Sequence, residues 1–203
     1  MFSETPKKIA TKISELAQSK EPFFVAIDGH GGSGKSSFSR DLLTELTENG
    51  KKASLVELDG FPDKTTTKAL VSRPDVKSYY KIDIRRIIDT LLKPLLSDNE
   101  VTYQIEDWWS DRKEQKTVKP DGIIIIEGCY SLSSELREFY DYKIFIECSP
   151  SLCLKRASDR DIAGGGDPIT APLLWKEIYF PNEEAYMKKE DPISVADIII
   201  KSE

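Results

Sequence analysis

Apolar positions along the chain follow two different periods, which predict helices and strands in turn. Ile9, Ile13 and Leu16 recur at helical spacing, and an unbroken apolar run follows at residues 23–27. A second helical pattern runs over residues 35–49 and ends at an Asn-Gly pair. The chain therefore begins with a predicted helix, a buried strand and a second helix.

The middle of the chain continues this alternation. Residues 53–58 are a short strand candidate, and the polar residues 59–78 contain turn signals and are predicted to form a functional loop. Asp83 can cap a helix that ends near residues 94–98. The weakly patterned residues 101–120 are predicted to form a small hairpin.

Three further apolar runs complete the predicted sheet. Residues 123–126 are four consecutive isoleucines, and residues 142–147 and 196–200 are similar. Unbroken hydrophobicity is typical of strands that are covered on both faces. Strands that alternate with helices favour an α/β fold with a mainly parallel sheet. At 203 residues, with no repeat or linker, the chain is predicted to be a single domain over residues 1–203.

The composition narrows the classes of function. The net charge of −6 disfavours nucleic acid, and no apolar run is long enough to span a membrane, so small molecules are the expected partners. Three cysteines without a C-x-x-C pair are predicted to be buried thiols of a cytoplasmic protein. The N-terminal residues show no apolar core of a signal peptide. The oligomeric state stays open.

One segment carries a specific chemical signal. Residues 29–36 read Gly-His-Gly-Gly-Ser-Gly-Lys-Ser and fill every fixed position of G-x-x-x-x-G-K-[ST], between a predicted strand and a predicted helix. In such a loop, backbone N–H groups surround a phosphate, Lys35 reaches the β- and γ-phosphates and the Ser36 hydroxyl binds Mg²⁺. The predicted nucleotide-binding residues are Gly29, His30, Gly31, Gly32, Ser33, Gly34, Lys35, Ser36 and Ser37. A catalytic role for the His30 side chain is not expected, because phosphoryl transfer needs little proton chemistry on the nucleotide side.

Two carboxylates are candidates for the chemistry beside this loop. Asp59 follows the second strand and Glu127 follows the isoleucine run, and the carboxyl ends of parallel strands share one edge of a sheet. Asp59 is predicted to activate the acceptor hydroxyl, and Glu127 to hold Mg²⁺ directly or through water. A turn-forming Asp-Gly pair and a plain strand end are the alternative interpretations.

Two arginines are candidates for a cationic lid. Arg156 and Arg160 lie four apart on a helix that Ser149-Pro150 can begin, and a run of three glycines follows. They could close over a triphosphate, and the alternative is pairing with neighbouring carboxylates at the surface. The chain contains no N-K-x-D sequence, and no D-x-x-G follows the second strand, which argues against an ordinary GTPase.

With these residues assembled, the chain resembles the uridine kinase branch of P-loop kinases, which includes phosphoribulokinase and bacterial pantothenate kinase. The resemblance rests on I-D-G-H-G-G-S-G-K-S, L-D-G-F, I-I-I-E-G-C-Y, R-A-S-D-R-D and A-D-I-I-I, in this order. It implies a P-loop nucleoside triphosphate hydrolase fold with a five-stranded NMP-kinase-like sheet, and ATP with Mg²⁺. It also implies the roles given above for Asp59, Glu127, Arg156 and Arg160, an acceptor side over about 59–120 and a lid over about 156–170.

The acceptor side differs from the uridine kinase pattern. Pro62 follows Phe61 where those enzymes have an aromatic pair, and residues 105–109 contain no histidine. The candidate acceptor-binding residues are Arg73, Tyr79, Tyr80 and Trp108, of which only one or two are expected to serve. A nucleoside kinase, a kinase of another alcohol such as pantothenate, and a regulatory nucleotide-binding protein all stay open, as does ATP or GTP as donor.

Overall fold

A computed structural model of the chain describes residues 1–64, 82–97, 100–107 and 112–203. Its centre is a five-stranded parallel sheet with the strand order β2-β5-β1-β6-β7. The strands are β1 (Phe23–Gly29), β2 (Ala53–Glu57), β5 (Ile123–Glu127), β6 (Tyr142–Cys148) and β7 (Ile198–Ser202). A separate antiparallel pair, β3 (Val101–Glu106) and β4 (Lys113–Val118), is the hairpin that the sequence predicted.

Helices cover both faces of the sheet. They are α1 (Pro6–Leu16), α2 (Lys35–Glu48), α3 (Ile84–Ile87, then Ile88–Leu92 and Lys93–Leu96), α4 (Pro150–Ala163), α5 (Thr170–Leu174, then Trp175–Tyr179 and Phe180–Glu190) and α6 (Pro192–Val195). Strands and helices alternate through most of the chain, so the predicted α/β class with a parallel sheet is confirmed.

The isoleucine run lies where its pattern requires. Strand β5 runs between β1 and β2, and all five of its residues are buried. Alternate side chains enter two cores, one with Ile124 and Ile126 and the other with Ile123 and Ile125. Because both faces are covered, no polar residue interrupts the strand before Glu127, at its carboxyl end.

Helices α3 and α5 share one local device. Each contains a π-helical turn, at Ile88–Leu92 and at Trp175–Tyr179, and each turn precedes a proline by two residues, Pro94 and Pro181. A proline lacks the N–H of a regular turn and its ring clashes with the carbonyl four residues earlier, so a wider turn lets the helix continue. Helix α3 therefore runs through Pro94 to Leu96, within residues 94–98, where the sequence predicted its end.

Among the residues that the structure describes, no helix has both the length and the apolar character needed to span a bilayer. Cys129, Cys148 and Cys153 are free and buried, as predicted.

Candidate active site

The carboxyl ends of the parallel strands open onto one cavity of about 730 Å³. Several residues that the sequence singled out for separate reasons line it together: Gly32, Gly34, Lys35, Ser36, Ser37, Asp59, Glu127, Arg156 and Arg160. The strand register explains part of this arrangement, since Glu127 pairs with Ile27 of β1 and with Glu57 of β2. The cavity is therefore bordered by the glycine-rich loop and by acidic strand ends.

The glycine-rich loop connects β1 to α2 and needs glycine for two reasons. Gly34, directly before α2, has a φ of 94°, which side chains disfavour. Gly32 packs so closely on α4 that a Cβ would lie 2.2 Å from the carbonyl oxygen of Cys153. The backbone at Gly34 leads directly into α2, whose N-terminal N–H groups can receive an anion.

Lys35 is a buried cation among carboxylates. Its side chain is only 7% exposed, and Nζ donates to the carbonyl oxygen of His30 over 3.4 Å. Burial by itself lowers the Lys35 pKa, but the charges of Glu127 and Asp59 act in the opposite direction and the net pKa is raised. The ammonium group is therefore fully charged at neutral pH and faces the cavity.

Glu127 and Ser36 place two oxygen atoms side by side. The Ser36 hydroxyl donates to Oε1 of Glu127 over 3.0 Å. Burial raises the Glu127 pKa to about 7, although the charge of Lys35 and the hydrogen bond from Ser36 both lower it. A carboxylate beside a hydroxyl offers the hard oxygen ligands that Mg²⁺ prefers.

Asp59 also lines the cavity. It lies in the 3₁₀ turn Leu58–Gly60, which directly follows β2, and its side chain is exposed. The turn-forming interpretation and the functional one are compatible here, because the turn itself brings Asp59 to the cavity. Its charge acts on both Lys35 and Glu127.

Arg156 and Arg160 both line the cavity from α4, but their contacts differ. Arg156 Nη1 donates to Ser202 Oγ over 3.0 Å, at the end of β7. The Arg160 guanidinium donates to Oδ1 of Asp161 over 3.0 and 3.1 Å and lies 5.5 Å from the ring centre of Trp175. The surface pairing considered for the two arginines thus applies to Arg160 in this conformation.

Helix α5 contacts the outer side of the glycine-rich loop, which the sequence did not reveal. Oε2 of Glu183 accepts the Gly31 N–H over 3.0 Å and lies 3.1 Å from Nδ1 of His30. The imidazole also stacks on Phe180 with 4.8 Å between ring centres. His30 therefore ties the loop to α5.

A second buried carboxylate, Asp28, holds the end of β1. Oδ1 accepts the Gly29 N–H over 2.6 Å, and Oδ2 accepts the Leu132 N–H over 2.8 Å and the Tyr186 hydroxyl over 2.6 Å. Asp28 is fully buried, and this burial raises its pKa despite the three donors. The first residue of the glycine-rich loop is thus fixed from both the β5–β6 connection and α5.

We predict that Tyr186→Phe lowers the free energy of unfolding by about 1–3 kcal/mol, because the buried Asp28 loses one of its donors. Chemical denaturation measures the change. Tyr140→Phe is a matched control, since Tyr140 is also buried and its hydroxyl has no hydrogen-bond partner among the residues described. Equal losses in the two variants would contradict the role given to the Tyr186 hydroxyl.

The predicted acceptor-binding residues Arg73, Tyr79, Tyr80 and Trp108 lie outside the described residues. Among the described residues of 59–120, the cavity is lined by Asp59, Gly60, Tyr103, Ile105 and Lys116.

The chain is similar to known kinases in sequence and in fold. The model of the phosphoribulokinase/uridine kinase family matches residues 24–202. A uridine kinase of Leuconostoc citreum is 29% identical over 156 residues, 73% of each chain. One of Alkaliphilus metalliredigens is 31% identical over 160 residues, 75% of this chain and 74% of the relative. In fold, the chain is similar to a putative fructose transport system kinase of Silicibacter, with a TM-score of 0.77, 24% identity and coverage of 92% and 95%. The resemblance seen in the sequence motifs is confirmed: the chain belongs to the phosphoribulokinase/uridine kinase family of P-loop kinases.

Proposed function

We propose that this ATP-dependent kinase transfers the γ-phosphoryl group to a hydroxyl of a nucleoside or a similar small polyol. The observation that carries the proposal is the cavity itself, which Lys35, Ser36 and Asp59 line together. The nucleoside is the first acceptor to test, because two relatives are uridine kinases. We also propose that residues of about 59–120 bind the acceptor and that about 156–170 act as a lid.

The proposed mechanism divides the work between donor and acceptor. Lys35, held charged by its carboxylate neighbours, neutralises charge on the β- and γ-phosphates. Asp59 orients the acceptor hydroxyl and takes its proton as the hydroxyl oxygen attacks the γ-phosphorus. The bond from the γ-phosphorus to the bridging oxygen breaks, and ADP leaves. Arg156 and Arg160 supply positive charge near the transferring group, which requires the Arg160 guanidinium to leave Asp161.

Mg²⁺ fits the oxygen pair formed by Ser36 and Glu127. We propose that the Ser36 hydroxyl binds the ion and that Glu127 holds it directly or through water. When bound, Mg²⁺ neutralises phosphate charge. Because the Glu127 carboxyl has a pKa raised to about 7, it must lose a proton before it can serve a cation.

The raised pKa gives a pH prediction. Below about pH 7 the Glu127 carboxyl is protonated, so the affinity for Mg²⁺·ATP is expected to rise as the pH increases from 6 to 8. In Glu127→Gln this part of the pH dependence should be absent, and what is left reports the titration of ATP itself. Calorimetric titrations of both proteins at three pH values measure the difference. The same slope in the two proteins would contradict the assignment.

The decisive experiment for the function is an acceptor panel. The protein is incubated with Mg²⁺ and γ-labelled ATP or GTP, together with uridine, cytidine, fructose, glycerate or pantothenate, and the labelled product is separated. We expect transfer to one class of hydroxyl compound. Tight ATP binding without transfer to any acceptor would favour the regulatory nucleotide-binding alternative. We further propose a cytoplasmic location, which the three free, buried thiols support.

A further inference from the structure

The residues before α1 are attached to the end of the last strand. Phe2 forms an antiparallel bridge with Ser202. The Ser3 N–H donates to the carbonyl oxygen of Lys201 over 2.8 Å, and the Lys201 N–H donates to Ser3 Oγ over 2.9 Å. The main chain at Phe2 is therefore fixed against β7, and its side chain has a defined direction.

That side chain points to the glycine-rich loop. The Phe2 ring meets Phe38 of α2 edge-on, with 5.1 Å between ring centres. Phe2 Cζ and Ser202 Oγ lie 3.2 and 3.5 Å from the position that a Cβ on Gly34 would occupy. Phe2 is only partly buried and lines the large cavity. An aromatic surface thus lies open to the cavity beside the first turn of α2.

The position of Phe2 identifies which ligand part it would meet. Asp59 and residues of the β3–β4 hairpin line the cavity too, and we propose above that they belong to the acceptor side. Phe2 instead lies beside Gly34 and Ser202, at the start of α2 and the end of β7. If the loop amides and the start of α2 hold the triphosphate, the nucleoside at the other end of the donor would lie beyond the first turn of α2. The nucleoside of the donor then lies next to Phe2.

We propose that Phe2 forms an apolar wall for the nucleoside part of the phosphate donor, so that the segment before α1 belongs to the nucleotide site. Such surfaces bind purines through stacking and van der Waals contact and do not read the hydrogen-bonding edge of the base. The inference rests on the proposed function only in assuming that a nucleoside triphosphate binds the loop.

Two probes separate this role from support of the loop. Mg²⁺·ATP and Mg²⁺·tripolyphosphate share the phosphate chain, but only ATP has a nucleoside. In Phe2→Ala, the dissociation constant of Mg²⁺·ATP should increase at least about fivefold, as for loss of a stacking ring, while that of Mg²⁺·tripolyphosphate changes less than twofold. Calorimetry measures both. Equal weakening of the two probes, or no weakening of either, overturns the proposal.

Further variants exclude a folding effect. Phe2→Leu keeps an apolar contact with Phe38 but removes the ring, so it should weaken ATP selectively by a smaller factor at an unchanged melting temperature. Leu16→Ala, on the exposed side of α1, should leave both dissociation constants unchanged. The outcome of this experiment can be told apart from a failure of the proposed function. If the protein binds ATP in a Phe2-dependent way but transfers no phosphate to any acceptor, the kinase reaction is refuted and the proposal for Phe2 still holds.

Discussion

Replacing Lys35 by alanine is expected to lower kcat/KM for phosphoryl transfer by about 10³-fold or more. The Lys35 ammonium is a buried cation that lines the cavity. Its loss removes the charge that we propose neutralises the β- and γ-phosphates. It also removes the cation that opposes the effect of burial on the Glu127 pKa, so this carboxyl becomes still harder to ionise and Mg²⁺ binding weakens as well.

Steady-state kinetics with labelled ATP measure this loss, and two further variants serve as controls. Lys52→Ala removes the same charge at the amino end of the sheet, where exposed Lys52 pairs with Asp121 over 3.0 Å, and activity should not change. Lys35→Arg keeps the charge in a larger group and should be impaired less than alanine. Activity of Lys35→Ala within tenfold of the wild type would refute the role of Lys35.

The sequence was sufficient for the sheet and for the centre of the site, for one physical reason. Buried parallel strands consist of apolar runs, and polar residues first appear where a strand leaves the core. Asp59 and Glu127 stand at those points, so their common edge followed from the fold class. The glycine-rich loop could be recognised separately, from the spacing of its glycines, lysine and serine.

The parts that the sequence did not reveal are contacts between distant segments. Glu183 and Tyr186 are separated from their partners in the loop and β1 by 152 and 158 positions. In the sequence they look like ordinary residues of a polar helix, because no local pattern marks a side chain that hydrogen-bonds to a distant segment. Phe2 is a similar case, since its location depends on pairing with β7 at the other end of the chain.

The end of α3 lies within residues 94–98, as predicted, and its passage through Pro94 has a physical reason. Proline is normally incompatible with a continuing helix, so a local rule predicts an end. The π turn at Ile88–Leu92 widens the preceding backbone, and the buried Leu91, Leu92 and Leu95 hold the helix on the core. Tertiary packing therefore extends the helix past a residue that would end it in isolation.

Asp59→Asn is expected to lower kcat by about 10²–10⁴-fold while the dissociation constant of Mg²⁺·ATP changes less than about twofold. The amide has nearly the same shape but cannot take the proton of the acceptor hydroxyl. Asp59 is exposed at the cavity, so the change is expected to leave the glycine-rich loop, Lys35 and the Ser36–Glu127 pair in place. Initial rates with saturating acceptor, together with calorimetric ATP titration, measure the two quantities separately.

Glu57→Gln distinguishes a positioned base from the general effect of negative charge. Glu57 lies two residues earlier, borders the same cavity and pairs with Arg40 over 3.2 Å. Unlike Asp59, it is the last residue of β2 and does not belong to the turn that follows. Removing its charge should lower kcat less than tenfold, because no proton is transferred to it. Comparable losses in Glu57→Gln and Asp59→Asn would mean that the field of the acidic strand ends matters and that neither residue is the base. Weaker ATP binding with unchanged kcat in Asp59→Asn would place Asp59 on the donor side instead.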